Sequence, residues 1–174
     1  MKHTVLIGFK HAGKTSIGSQ LSSQLEKNFI DLDEAIESEH VKNTDQKLTV
    51  RQIVLQEGLD KFRELENKVL QNVLNSSEQS IIASGGGTPL AEDNRKLLAE
   101  HFVVNIIADK SNIYERIMVN GRPAFFPDDE DPYLSFRKVW DERTKVYDSL
   151  AHVTISNNNS LDRAVNELKR ILVI

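Results

Sequence analysis

The stretch GFKHAGKTS, Gly8 to Ser16, lies between a short apolar run, TVLI, and a segment, IGSQLSSQL, whose apolar residues recur at helical spacing. No other feature of the chain restricts its fold so tightly. It fits the pattern G-x-x-x-x-G-K-[ST] with Gly8, Gly13, Lys14 and Thr15, in the strand-to-helix setting that the pattern requires. The glycines let the backbone curl round an anion, freed amides and the helix N-terminus point at phosphates, and Lys14 adds a mobile charge. Thr15 offers a hydroxyl to Mg2+. The alternative is a glycine-rich turn that happens to end in Lys-Thr, and the flanking strand and helix count against it. Lys10 and His11, inside the loop, read as solvated residues.

A phosphate loop of this kind belongs at the carboxyl end of a buried strand, and the rest of the chain supplies the sheet. Apolar runs recur at Thr4 to Ile7, Phe29 to Leu32, Ser80 to Ala83, Phe102 to Ile107 and Val153 to Ile155. Most are too continuous for half-exposed strands. Helical spacing intervenes at Lys14 to Lys27, Thr49 to Glu57, Leu59 to Leu74, Ala91 to Glu100, Ser111 to Val119, Tyr133 to Leu150 and Ser160 to Leu172. Alternation of this kind predicts an α/β fold with a parallel, doubly wound sheet, whose ligands gather outside the carboxyl ends of the strands. Thr49 and Gln52 have capping-box spacing, and Gly58 separates two helices.

A chain of 174 residues with 39% hydrophobic content suits one domain. Its net charge of -4 excludes a broadly basic nucleic-acid surface, so any anion site must be local. Without cysteine it has no disulfide framework, zinc-thiolate centre or thiol nucleophile. The first apolar run is too short for a signal-peptide core or a membrane span, which predicts a cytoplasmic protein away from membranes. One segment breaks the pattern. NGRPAFFPDDEDP, Asn120 to Pro132, carries three of the four prolines and a run of acids, and a loop of that length predicts a lid in preference to a tolerated insertion.

Further signals gather where strands end. Asp31 and Asp33 in FIDLDEAIE are two residues apart, on the same face of an extended segment. Beside a phosphate loop, one carboxylate can serve magnesium and the other can accept a hydroxyl proton. The competing reading is a helix cap with a first-turn acid. Arg63 and Glu66 have the spacing of a surface ion pair. IIASGGGTP leaves its strand through Gly85, Gly86 and Gly87, which predicts close approach to a small ligand. Arg143 becomes a candidate carboxylate grip only in company with these residues.

Taken in order, GFKHAGKT, DLD, FRELE, SGGG, GRP and ERTKVY resemble shikimate kinase, a family of small P-loop kinases related in fold to the nucleoside monophosphate kinases. The resemblance spans nearly the whole chain. It implies a five-stranded parallel sheet flanked by helices on both faces. Residues 1–174 would form one kinase domain, with substrate-binding helices at about 33–75 and a mobile lid at about 120–132. It further implies that ATP phosphorylates the 3-hydroxyl of shikimate with Mg2+ as cofactor. Asp33 is then the base, with Lys14 and Arg122 as the other catalytic groups. Gly8, Ala12, Gly13, Lys14, Thr15, Ser16, Arg116 and Arg122 hold the nucleotide. Asp33, Arg63, Arg143 and Gly85 to Gly87 hold shikimate, and Thr15 and Asp31 serve the metal. The partners are small molecules and the chain is expected to be a monomer.

The lid departs from the family pattern, since Arg122-Pro123 continues as AFFPDDED where Leu-Leu is usual. Arg116 is one residue nearer the lid arginine than its counterpart. Two other readings stay open from the sequence: a related kinase, for example of gluconate, and a silent nucleotide-binding module. The joint presence of Lys14, Asp33, Arg63 and Arg143 weighs against the second.

Overall fold

Continuous burial along β1 (Thr4–Ile7) and β3 (Ser80–Ala83) means that both faces of the sheet are covered. The computed structural model describes residues 2–119 and 130–173. Three further strands complete the sheet: β2 (Asn28–Asp31), β4 (Phe102–Ile107) and β5 (Val153–Ser156). The order is β2-β3-β1-β4-β5 and every pairing is parallel. The two edge strands are the less buried ones, as the apolar content of their sequences requires.

Helices fill the connections: α1 (Lys14–Leu25), α2 (Leu32–Thr44), α3 (Val50–Glu57), α4 (Leu59–Leu74), α5 (Glu92–Leu98), α6 (Lys110–Val119), α7 (Pro132–Leu150) and α8 (Leu161–Leu172). One apolar cluster joins them to the sheet, with Val5, Leu6, Ile7, Ile81, Ile82, Val103 and Val104 at its centre. α1 packs on α8 and β3, whereas α4 packs on α2, α3 and α5. The predicted capping box closes on α3, where Thr49 N donates to Gln52 Oε1 at 2.8 Å, and Gly58 divides α3 from α4. Asp131 caps α7 by accepting from Tyr133 N at 2.7 Å.

One expected strand needs correction. The run Phe29 to Leu32 reads as extended throughout, but β2 ends at Asp31 and Leu32 already begins α2. Asp31 Oδ1 accepts from Asp33 N at 3.0 Å and from Glu34 N at 3.4 Å, so the carboxylate turns the chain into the helix. Asp31 and Asp33 therefore share no strand face; Asp33 is in the first turn of α2. The expected lid, with Arg122, lies outside the described residues apart from its last positions, 130–132.

Candidate active site

Parallel strands bring their carboxyl ends to one edge, and the chemistry-bearing residues follow from that edge. The loop after β1 turns through Gly8 at φ 132° and Gly13 at φ 98°, conformations that a side chain would strain. Lys14, the first residue of α1, is buried, and its Nζ donates to the carbonyls of Gly8 at 2.9 Å and Phe9 at 2.8 Å. Burial pushes its ammonium down to about 8, against the opposing pull of Asp33 and Asp31. A lysine held inside the loop on carbonyl groups has its charge ready for an anion that takes their place.

Thr15, next on α1, donates its hydroxyl to Asp31 Oδ2 at 2.8 Å. The capping carboxylate thus has one oxygen on its own helix and the other on the phosphate loop. The helix-cap and metal readings of Asp31 are compatible. Thr15 and Asp31 form an all-oxygen pair of the kind that suits Mg2+, which is bound by few protein oxygens and keeps waters and substrate phosphates as its other ligands.

Asp33 faces the same space from α2. Burial, with the charge of Asp31 second, pushes its carboxyl up to about 6. The glycine turn after β3 explains itself against these neighbours. A methyl group on Gly85 would lie 2.7 Å from Asp33 Oδ1, one on Gly86 3.1 Å from Lys10 N, and one on Gly87 2.5 Å from Arg63 Nη2. Successive glycines therefore give space to the candidate base, the phosphate loop and a candidate substrate arginine. None of the three has positive φ, so clearance and not backbone freedom requires them.

Arg63 on α4 donates to Glu66 Oε2 at 2.5 Å. The ion pair expected from spacing exists, but it is not a surface pair, because Glu66 is only 1% exposed. Arg143 on α7 lies 6.0 Å over the Phe9 ring and has Tyr147 as a hydrogen-bond partner; burial lowers its pKa. Arg116 on α6 donates to His11 O at 2.9 Å, which puts it against the phosphate loop. Ala12 is buried within that loop, and its carbonyl accepts from Asn157 Nδ2 at 2.9 Å. Ser16 follows Thr15 on the exposed side of α1.

Sequence reasoning missed Asn157, Tyr147, Thr88, Asn94 and the buried state of Glu66. Only Glu66 left a signal, since it shares a helical stripe with Phe62, Val69 and Leu70, where a carboxylate has no solvent.

A phosphate loop, an oxygen pair for a hard cation, a half-buried carboxylate and an arginine on a glycine turn define a P-loop kinase acting on a small acceptor. A model of the family described as shikimate kinase matches residues 10–172. The shikimate kinase of Bacillus cereus is 35% identical, over 97% of this chain and 97% of its own. That of Flavobacterium johnsoniae is 32% identical, over 99% of both. The solved shikimate kinase from Acinetobacter baumannii in complex with shikimate superposes with a TM-score of 0.85 at 27% identity, covering 99% of this chain and 94% of that one. The chain belongs to the shikimate kinase family.

Proposed function

We propose that the protein transfers the γ-phosphoryl group of ATP to the 3-hydroxyl of shikimate, giving shikimate 3-phosphate and ADP. One observation carries the reading: the glycine turn brings the Asp33 carboxylate, the phosphate loop and Arg63 against three successive residues, Gly85, Gly86 and Gly87. A base, a phosphate site and a carboxylate grip at that spacing suit a small hydroxy acid. Family membership supports the same acceptor.

The reaction is an in-line displacement, in which the acceptor oxygen forms a bond to the γ-phosphorus as the bond to the β,γ-bridging oxygen breaks. Positioning and charge stabilisation supply most of the rate. Asp33 takes the proton of the attacking hydroxyl. Its pKa of about 6 leaves it ionised at neutral pH yet basic enough to accept. Lys14 neutralises phosphoryl oxygens, and the loop amides from Gly8 to Ser16, including Ala12, Gly13 and Thr15, orient the nucleotide. Arg116 completes the nucleotide side. Arg63 and Arg143 hold the acceptor carboxylate. A local set of cations reconciles a chain of net charge -4 with two anionic substrates.

Thr15 and Asp31 would hold Mg2+. When bound, the ion draws charge from the phosphates and fixes their orientation. Arg122 is assigned to the phosphates from a lid at about 120–132, and residues 33–75 to an acceptor-binding segment of one kinase domain. We further place the protein in the cytoplasm as a monomer. No helix among the described residues is long and apolar enough to cross a membrane. Coupled measurement of ADP release with shikimate, with gluconate and without acceptor tests the assignment. Release that depends on shikimate is expected. Equal release with gluconate, or without any acceptor, would overturn it.

A further inference from the structure

Beside Arg63 and Glu66, three amide side chains form a chain of one polarity that meets Thr88, the residue after the glycine turn. Gln71 Nε2 donates to Asn67 Oδ1 at 2.7 Å, Asn67 Nδ2 donates to Asn94 Oδ1 at 2.8 Å, and Asn94 Nδ2 donates to Glu66 Oε2 at 3.2 Å. The same Asn94 nitrogen donates to Thr88 O at 3.0 Å. Two acceptors on that side fix which end of the Asn94 amide is nitrogen, and the rest of the chain follows from it. Thr88 Oγ1 donates to Glu66 Oε1 at 2.8 Å. Each Glu66 oxygen therefore has a neutral donor, and Oε2 also receives Arg63 Nη1.

Physical chemistry gives this arrangement a purpose. A carboxylate as buried as Glu66 needs its lone pairs satisfied, and Arg63 bonds only one of its oxygens, Oε2, which leaves Oε1 to another donor. A second cation would do it but would compete with Arg63 for the same charge. Neutral amide and hydroxyl donors keep the carboxylate fixed without adding positive charge. Aligned amide dipoles also strengthen one another where the dielectric is low. Arg63 is then anchored through Nη1, and its Nη2 is directed to Gly87.

We propose that Asn94, on α5 and fully buried, is a positioning residue for acceptor recognition, acting with Asn67 and Thr88 through Glu66 to aim Arg63. The inference rests on the assignment of Arg63 to the acceptor carboxylate. Asn94 touches no substrate; it sets the direction of the residue that does. The structure of α5 serves this role directly, because a single side chain at its centre links α4, the turn at Thr88–Leu90 and the Glu66 carboxylate.

Steady-state kinetics of Asn94→Ala, Arg63→Ala and the double variant test the proposal, with circular dichroism to establish folding. Asn94→Ala is expected to raise KM for shikimate about tenfold, the effect of one lost hydrogen bond to a charged group, with KM for ATP unchanged. In the Arg63→Ala background the same substitution should add almost nothing, since the residue through which it acts is gone. A merely structural role predicts the opposite: equal loss in both backgrounds, or both Michaelis constants shifted together. Either result overturns the proposal. Asn67→Ala, on the half-exposed middle of the chain, gives the same cycle if Asn94→Ala does not fold, with a smaller rise of about threefold expected. Wild-type protein that neither binds nor phosphorylates shikimate overturns the acceptor assignment itself, and that result is visible before any variant is made.

Discussion

Tyr147 donates its hydroxyl hydrogen to the carbonyl of Gly86 at 2.6 Å, so α7 holds the glycine turn from a position 61 residues further along the chain. Burial pushes its phenol up to about 12, which keeps the donor protonated across the working pH range. Phe9 of the phosphate loop meets the same helix. Its ring stacks on Trp140 with centroids 4.5 Å apart and lies edge-on to Tyr147 at 5.6 Å. One helix thus braces the loop after β1 and the glycine turn together, and Arg143, a turn before Tyr147, shares that brace.

Tyr147→Phe should keep the aromatic packing and remove only the hydrogen bonds of the hydroxyl, to Gly86 and with Arg143. The loss of a buried bond of this kind destabilises by about 1 kcal/mol, which in a chain of this size lowers Tm by about 2–4 °C. Because the Gly86 turn and Arg143 both lose a partner, KM for shikimate should rise as well. Thermal melts and acceptor kinetics check this together. A variant with wild-type Tm and wild-type KM would show that the contact braces nothing.

With Asp33 as the proposed base and Lys14 as the proposed phosphate-binding cation, the free enzyme should show a bell-shaped pH profile. Asp33 works as a carboxylate, and its raised pKa puts the acidic limb near pH 6. Lys14 works as an ammonium, and its lowered pKa puts the alkaline limb near pH 8. Asp33→Asn should reduce turnover by roughly two to four orders of magnitude while nucleotide affinity at neutral pH stays close to wild type. In that variant the alkaline loss of nucleotide affinity should begin at lower pH, because the Asp33 charge helps to keep Lys14 protonated. Turnover within a few-fold of wild type would reduce Asp33 to a residue of the first helical turn.

The sheet was legible in the sequence because parallel strands covered on both faces are continuous apolar runs. The β2 boundary was not, since FIDL continues that run while Asp31, a cap, ends the strand inside it. The phosphate loop was legible because it is local: strand, loop and helix are contiguous. The support of the site is distributed instead. Asn94 reaches Glu66 across 28 residues and Tyr147 reaches Gly86 across 61, and in isolation each is an ordinary residue of an ordinary helix. Gly85 to Gly87 were legible as a close approach, but the three different neighbours that require them come from separate elements.

Those neighbours make the glycines testable. Gly87→Ala puts a methyl group 2.5 Å from Arg63 Nη2, the far end of a flexible side chain, so folding should survive while the arginine is displaced. Arg63→Lys keeps the charge and loses the two-pronged geometry. Each should weaken the acceptor by about 1.5–3 kcal/mol, roughly 10- to 100-fold in KM for shikimate, with little change for ATP. Unchanged acceptor KM in both variants would return Arg63 to a purely structural ion pair.

At the opposite edge of the sheet, His101 should contribute to the acid limit of stability. Three imidazoles extend the strand ladders there, each accepting a backbone N–H on Nδ1: His3 from Ser80 at 3.1 Å, His101 from His3 at 3.1 Å, and His152 from Val103 at 3.2 Å. A proton on Nδ1 would set a donor against a donor. For His101, burial first and the neighbouring His3 and Lys2 after it lower the pKa from 6.5, with Glu100 opposing. The folded state therefore resists a proton that the unfolded chain accepts. Stability from this site is fully present above the unfolded value of about 6.5 and is lost as the pH falls through the lower folded value. Tm should accordingly drop as the pH falls below about 6.5. His101→Asn, whose Oδ1 can accept the same N–H without titrating, should flatten that drop. If the variant loses Tm with acid as steeply as wild type does, His101 has no part in the limit, and another of the protein's titrating groups must account for it.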